Sequence, residues 1–186
     1  MPAFDQLILK TERLILRPLQ ESDSGALMEI YSDPKVMRYW STTPWESIEQ
    51  AHEMIAREVK GMAAGKQLTL GLERTHDGAL IGTCTLFAIS AQCRRAEVGY
   101  TMAQHAWGKA FMDEALRALL NYGFTELKLN RVEADVDTRN EASKKTLERL
   151  GFSMEGYLRE RWIVGDEISD SALYGLLHSD WRRVLD

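Results

Sequence analysis

Apolar residues recur along this 186-residue chain with two different periods. Leu14-Ile15-Leu16 is a short apolar run stopped at Arg17-Pro18 and reads as a strand, because proline cannot continue a sheet ladder. Leu27, Ile30 and Tyr31 then repeat at helical spacing; Ser22 or Asp23 is placed to cap that helix, and Asp33-Pro34 closes it. A longer helix begins at Ser47 and keeps Ile48, Ala51, Met54, Ile55 and Val59 on one face, with Gly61 and Gly65 loosening its end. Strands are predicted over 67–73, 80–89 and 96–102, the first two joined by the turn signal His76-Asp77-Gly78. After Gly108 a helical stripe runs through Met112, Ala115, Leu116, Leu119, Leu120 and Phe124. Residues 131–136 alternate as a strand, 140–150 form a helix ended by Gly151, and 152–162 with 168–177 form a final hairpin around Gly165-Asp166.

The order β, α, α, three β, α, β, α, β, β predicts an α/β (α+β) fold: a single mixed, mostly antiparallel central sheet flanked by helices. No repeat, low-complexity tract or linker interrupts it, so 1–186 reads as one domain with its core over about 11–180. Apolar content of 45% and charged content of 27% are ordinary for a soluble domain. A net charge of -5 argues against a broad basic surface, so no nucleic-acid partner is expected. Without an apolar leader or a bilayer-spanning run, no membrane association is expected, and a cytoplasmic setting follows. Cys84 and Cys93 form no CxxC pair, so no metal is expected; the first reads as a buried thiol and the second as a loop thiol.

Candidate chemistry concentrates after the third central strand, in Gly99-Tyr100-Thr101-Met102-Ala103-Gln104-His105-Ala106-Trp107-Gly108-Lys109-Ala110-Phe111. This run reads as strand, polar loop and helix start. The first N–H groups of a helix lack intrahelical acceptors and sit at the positive end of its dipole. With small residues at Gly108 and Ala110 and a cation at Lys109, that junction is suited to a phosphate. Upstream, the alternation that puts Val98, Tyr100 and Met102 on one face turns Glu97 to the other, where a carboxylate could serve as a general base or pair with Arg94 or Arg95.

Four stretches together resemble the GNAT N-acetyltransferases, and most closely their ribosomal-protein-alanine acetyltransferase branch. They are Thr11-Glu12-Arg13-Leu14-Ile15-Leu16-Arg17; Ala96-Glu97-Val98-Gly99-Tyr100; Trp107-Gly108-Lys109-Ala110-Phe111 with Glu114-Ala115; and Asn140-Glu141-Ala142-Ser143 with Leu150-Gly151-Phe152 and Glu155-Gly156. Each is weak alone; in this order, each on its expected element, they are specific. The resemblance implies transfer of an acetyl group from acetyl-CoA to a primary amine, either a protein N-terminus or a small molecule, by direct attack. It places the pyrophosphate on Trp107, Gly108, Lys109 and Ala110, although the family often has glycine where this chain has Ala110. It continues the coenzyme site to Tyr100 and Met102 and gives Asn140 to the pantetheine arm, beside that residue's fitness as a helix cap. Glu97 is implied as base and Ser143 as hydrogen-bond donor to the departing thiolate.

One departure stands out. Many members carry a tyrosine acid where this chain has Leu147, and neither Tyr100 nor Tyr157 is marked by spacing as its replacement. That leaves room for a non-catalytic acyl-CoA-binding or sensor domain on the same scaffold. The aromatic segment holding Tyr39 and Trp40, together with Trp162 and Glu160 on the late hairpin, falls where the family builds its acceptor groove; aromatic faces can hold an amine. His52, His76 and His178 have no partners by spacing. A monomer or a homodimer is expected.

Overall fold

The computed structural model describes residues 3–185, with side chains through Trp181. Eight strands form one sheet: β1 (Leu9–Lys10), β2 (Leu14–Arg17), β3 (Leu68–Arg74), β4 (Leu80–Ser90), β5 (Arg95–Met102), β6 (Arg131–Asp137), β7 (Ser153–Val164) and β8 (Glu167–Leu177). Five helices accompany them: α1 (Ser24–Ser32), α2 (Ile48–Ala63), α3 (Phe111–Thr125), α4 (Glu141–Arg149) and α5 (His178–Leu185). The strand order is β1-β2-β3-β4-β5-β6-β8-β7. Every neighbouring pair is antiparallel except β5 and β6, because the crossover through α3 returns the chain in the same direction.

That one parallel contact is short. It holds only Arg95↔Arg131, Ala96↔Val132 and Glu97↔Glu133. Beyond Glu97 the strands part: β5 runs on to Met102 against β4, and β6 runs on to Asp137 against β8. The parted edges face each other across a cleft, with the backbone of Val98–Met102 on one side and Ala134–Asp137 on the other.

Alternation along the strands divides the interior in two. Cys84 and Leu86 of β4 join a cluster with Leu116, Leu119, Leu120 and Phe124 of α3, Leu147 of α4 and Trp181 of α5. Thr83, turned the other way, meets Tyr31 of α1 with hydroxyl oxygens 3.0 Å apart, beside a second cluster built from Leu27, Ile30, Ala51, Met54 and Ile55 of α1 and α2.

Three local expectations change. The helix expected to be capped by Ser22 or Asp23 follows a tight turn over Glu21–Asp23 and starts at Ser24 with Asp23 at the cap position, but the Asp23 side chain makes no cap hydrogen bond. Asp23 is buried and instead receives Arg17 Nη1 and Nη2 at 2.8 Å each and the Gln20 N–H at 2.7 Å. A carboxylate facing a forked guanidinium outcompetes a cap, since charge-assisted bidentate bonds are the stronger kind. Two elements escaped the periodicity: β1, only two residues long, and α5, where polar residues outnumber apolar ones although Trp181 is fully buried against Phe124. The histidines are partnered: His52 with Glu21, His76 with Asp77, and His178 stacked on Phe124. Both cysteines are free thiols, Cys84 buried and Cys93 exposed.

Candidate active site

The cleft between β5 and β6 is a groove of about 1350 Å³. Its lining includes Tyr100, Met102, Trp107, Gly108 and Ala110 at one end and Tyr39, Trp40 and Trp162 at the other, with Glu97, Asn140 and Ser143 between. The tertiary structure therefore brings the expected site residues to a single surface, apart from Lys109 and Glu160. Lys109 is the exception at the loop. It does not line the groove, and its carbonyl accepts a hydrogen bond from Arg13 Nη1 at 3.0 Å.

The end at Gly108 and Ala110, expected to suit a phosphate, is set by backbone conformation. Gly108 has φ +72°, and a Cβ added there would meet nothing within 4 Å. The demand for glycine is thus conformational rather than one of packing. Ala110 also takes a left-handed conformation, φ 60°, as the residue before α3. The helix consequently starts at Phe111, just past the Gly108–Ala110 junction where the sequence places its beginning. Its first intrahelical bond runs from the Glu114 N–H to the Ala110 carbonyl at 3.1 Å. Phe111, Met112 and Asp113 precede that bond, so their N–H groups are the free donors of the helix start. Trp107 is exposed and its indole donates to the Met102 carbonyl at 2.8 Å, tying the loop to the end of β5.

Asn140 caps α4, its Oδ1 accepting the Ser143 N–H at 3.1 Å. The cap fixes the first turn of a helix that presents Asn140, Ser143, Thr146 and Arg149 to the groove, a spacing of three that keeps them on one face. Ser143 Oγ lies 2.6 Å from the hydroxyl of Tyr100 on β5. Burial pushes the Tyr100 phenol up to about 12, so it stays protonated through neutral pH. Leu147 is fully buried in the core and does not line the groove.

Glu97 is half-buried, 3.9 Å from Arg95 Nη1; that guanidinium is bound more tightly by Glu133 at 2.5 Å. The expected pairing with Arg95 is therefore loose, and Arg94 makes no ion pair among the described residues. At the far end, Tyr39 is exposed and lines the groove, with two arginines beside its ring. The guanidinium carbons of Arg38 and Arg139 lie 5.4 and 5.8 Å from its ring centre. Both arginines bind Glu167 at the start of β8, and Arg139 also binds Asp137. Trp40 packs edge-on to Tyr31, centroids 5.6 Å apart, and Trp45 stacks on the same ring at 4.5 Å, which makes them core residues first. Trp162 borders the groove under Arg161, with its indole nitrogen 3.5 Å from Asp135 Oδ1. Glu160 sits in a strand irregularity with φ 52°, exposed and outside the groove.

Several lining residues were not anticipated. Arg117 and Arg149 flank the phosphate end, and Asp113 joins them: Arg117 Nε is 2.8 Å from Oδ2, and Arg149 Nε is 3.6 Å from the buried Oδ1. The three-residue step from Asn140 to Arg149 was the signal available for Arg149. Nothing in the sequence announced the Tyr100–Ser143 contact, which spans 43 positions. Among the described residues no cluster of His, Cys, Asp and Glu could hold a metal, and no helix is long and apolar enough to cross a membrane.

The acetyltransferase (GNAT) domain family model matches residues 13–153, from the turn before β2 to the start of β7. The chain belongs to the GNAT family. It is 36% identical over 173 residues to the Uncharacterized N-acetyltransferase p20 of Bacillus licheniformis, covering 93% of this chain and 97% of that one. Among solved structures it is similar to the spermidine N-acetyltransferase from Vibrio cholerae in complex with CoA and spermine, at 26% identity, TM-score 0.81, and 92% and 99% of the two chains. It shares its fold with Mycobacterium smegmatis RimJ in complex with CoA-disulfide, at 22% identity, TM-score 0.87, and 99% and 95% coverage. This GNAT protein is an acetyl-CoA-dependent N-acetyltransferase. The groove offers groups that could hold the co-substrate: helix N–H groups without intrahelical acceptors at one end, parted strand edges along its length, and a hydroxyl pair where α4 begins.

Proposed function

We propose that this GNAT enzyme acetylates the α-amine of a peptide N-terminus, as in the ribosomal-protein branch, rather than a polyamine. One observation carries this reading: the carboxylates at the acceptor end are already matched by arginines. Asp135 is 3.4 Å from Arg161, Asp137 is bound by Arg139, and Glu167 by Arg38 and Arg139. Glu97, at 3.9 Å from Arg95, is the least engaged of them. A polyamine brings two or more ammonium groups, and each would have to displace a guanidinium to find a partner. A peptide N-terminus brings one, which Glu97 can meet.

In this reading Glu97 takes a proton from the acceptor ammonium, directly or through a water, and frees the lone pair for attack on the thioester carbon. A C–N bond forms, the C–S bond breaks with its electron pair leaving on sulfur, and the second proton passes from nitrogen to the departing thiolate or to solvent water. The Ser143 hydroxyl donates a hydrogen bond to that sulfur while Tyr100 donates to Ser143 Oγ, orienting its proton outward. A thiolate is a far weaker base than an alkoxide, so stabilisation by hydrogen bonding, without full transfer from serine, suits this geometry. The spermidine enzyme among the structural relatives makes a polyamine the obvious competitor.

The test is competition between short peptides with free N-termini and spermidine, with acetyl-CoA as donor and mass detection of products. The expected result is α-amine acetylation with kcat/KM at least about tenfold above spermidine, or roughly 1.4 kcal/mol of discrimination. A preference for spermidine overturns the acceptor assignment. CoA binding without turnover on any acceptor would favour a sensor.

A further inference from the structure

We infer that Arg13, in the turn between β1 and β2, is the residue that positions the phosphate loop of the coenzyme groove. Its main-chain N–H donates to Glu114 Oε1 at 2.8 Å and its Nε to Glu114 Oε2 at 2.7 Å. Thr11 Oγ1 donates to Glu114 Oε1 at 2.6 Å, and Arg13 Nη1 reaches the Lys109 carbonyl at 3.0 Å. The guanidinium also lies 4.6 Å from the ring centre of Phe111. One side chain from a distant strand turn therefore grips the loop at Lys109, the first helical residue at Phe111 and the first turn of α3 at Glu114.

Two features of the loop need that grip. Ala110 holds a left-handed backbone conformation, which a residue with a Cβ adopts only when its surroundings impose it. The first turn of α3 also carries Asp113 and Glu114, beside the donors that would face a phosphate. Negative side chains suit a helix N-terminus but repel a bound anion. Arg117 offsets Asp113 and Arg13 offsets Glu114. Arg13 thus keeps the loop in its anion-binding shape and removes a repulsive charge. It acts through other residues and does not line the main groove.

This inference rests on the reading that the α3 start receives the pyrophosphate. The experiment compares wild type, Arg13→Gln and Arg13→Lys. It reads CoA and pantetheine affinity by calorimetry, and KM and kcat with acetyl-CoA and with S-acetylpantetheine, which lacks phosphate. Arg13→Gln is expected to raise the Kd for CoA and the KM for acetyl-CoA about tenfold, with kcat within about twofold and S-acetylpantetheine kinetics unchanged. Arg13→Lys, keeping the charge but losing the fork, should fall between. Adding Ala110→Gly to Arg13→Gln should recover part of the loss, because glycine needs no help to stay left-handed. Unchanged CoA affinity in Arg13→Gln overturns the inference, as does an equal loss for both donors. Should Arg13→Gln fail to fold, the lysine variant decides on the same readouts. If wild type binds CoA no better than pantetheine, the phosphate reading itself fails, and the inference falls with it.

Discussion

Ser143 and Tyr100 show how much a single contact decides. Serine in the first turn of a helix is common and often bonds only to backbone. Here the Asn140 cap takes the backbone N–H, leaving the Ser143 hydroxyl for Tyr100 and the groove. Leu147, buried in the core, leaves no place for an acid at that position. Replacing Ser143 with alanine is expected to lower kcat by about two orders of magnitude, the lower range for a positioned proton donor, with little change in KM for acetyl-CoA. Tyr100→Phe should cost less, because the serine keeps its hydroxyl and loses only its orientation. Stopped-flow detection of thiol release separates the two; a Ser143→Ala enzyme at wild-type rate removes Ser143 from the mechanism. Aromatic residues tell the opposite story. Tyr39 and Trp40 are reasonable cation sites by residue type and both line the groove, but Tyr39, though exposed, already has Arg38 and Arg139 beside its ring, and Trp40 packs on Tyr31. Which face of a ring is free is a tertiary matter.

At the scale of elements, hydrophobic period located the strands and helices well, and local backbone conformation set their ends. The stripe Ala115, Leu116, Leu119, Leu120 and Phe124 is buried as its spacing requires, each large side chain worth about 1.5–3 kcal/mol. Gly108 and Ala110 both turn left-handed, which fixes the start of α3 at Phe111. That start puts the free N–H groups on Phe111, Met112 and Asp113. Gly108→Asp should then weaken CoA binding at least about tenfold by combining a strained backbone with a charge opposed to phosphate. Isothermal titration of CoA checks this, and an unchanged Kd moves the phosphate away from this loop. Ser47 illustrates a legible boundary: its N–H donates to Gln50 Oε1 at 3.1 Å, the second half of a capping box written directly in the sequence.

Across the whole molecule, the same burial that shapes the groove sets its response to alkali. Burial pushes the Cys84 thiol from 9.0 up to about 12, and the Tyr100 phenol from 10.0 up to about 12. The folded chain therefore holds these protons to higher pH than the unfolded chain does. Their contribution is intact below about pH 9 and is lost as pH rises toward 12, each with a slope of up to about 1.4 kcal/mol per pH unit. Thermal midpoints measured between pH 7 and 10.5 should fall above pH 9. Cys84→Ala should fall less steeply there, even though its cavity lowers the midpoint at neutral pH. Equal slopes in the two proteins would remove Cys84 as a cause.

By itself the sequence determined the order of the elements from β2 to β8 and the mixed sheet, and it marked the Gly108 loop, Glu97, Asn140 and Ser143 as candidates. These follow from local periodicity, glycine and cap chemistry, and short motifs, all of which act over a few residues. Only the tertiary structure decided that β5 and β6 part after Glu97, that Tyr100 meets Ser143, that Lys109 is not part of the groove lining, and that Arg13 reaches the loop 96 positions downstream. Such contacts depend on how strands are ordered in the sheet and where a crossover returns. No local pattern records that arrangement, because the packing of distant elements sets it.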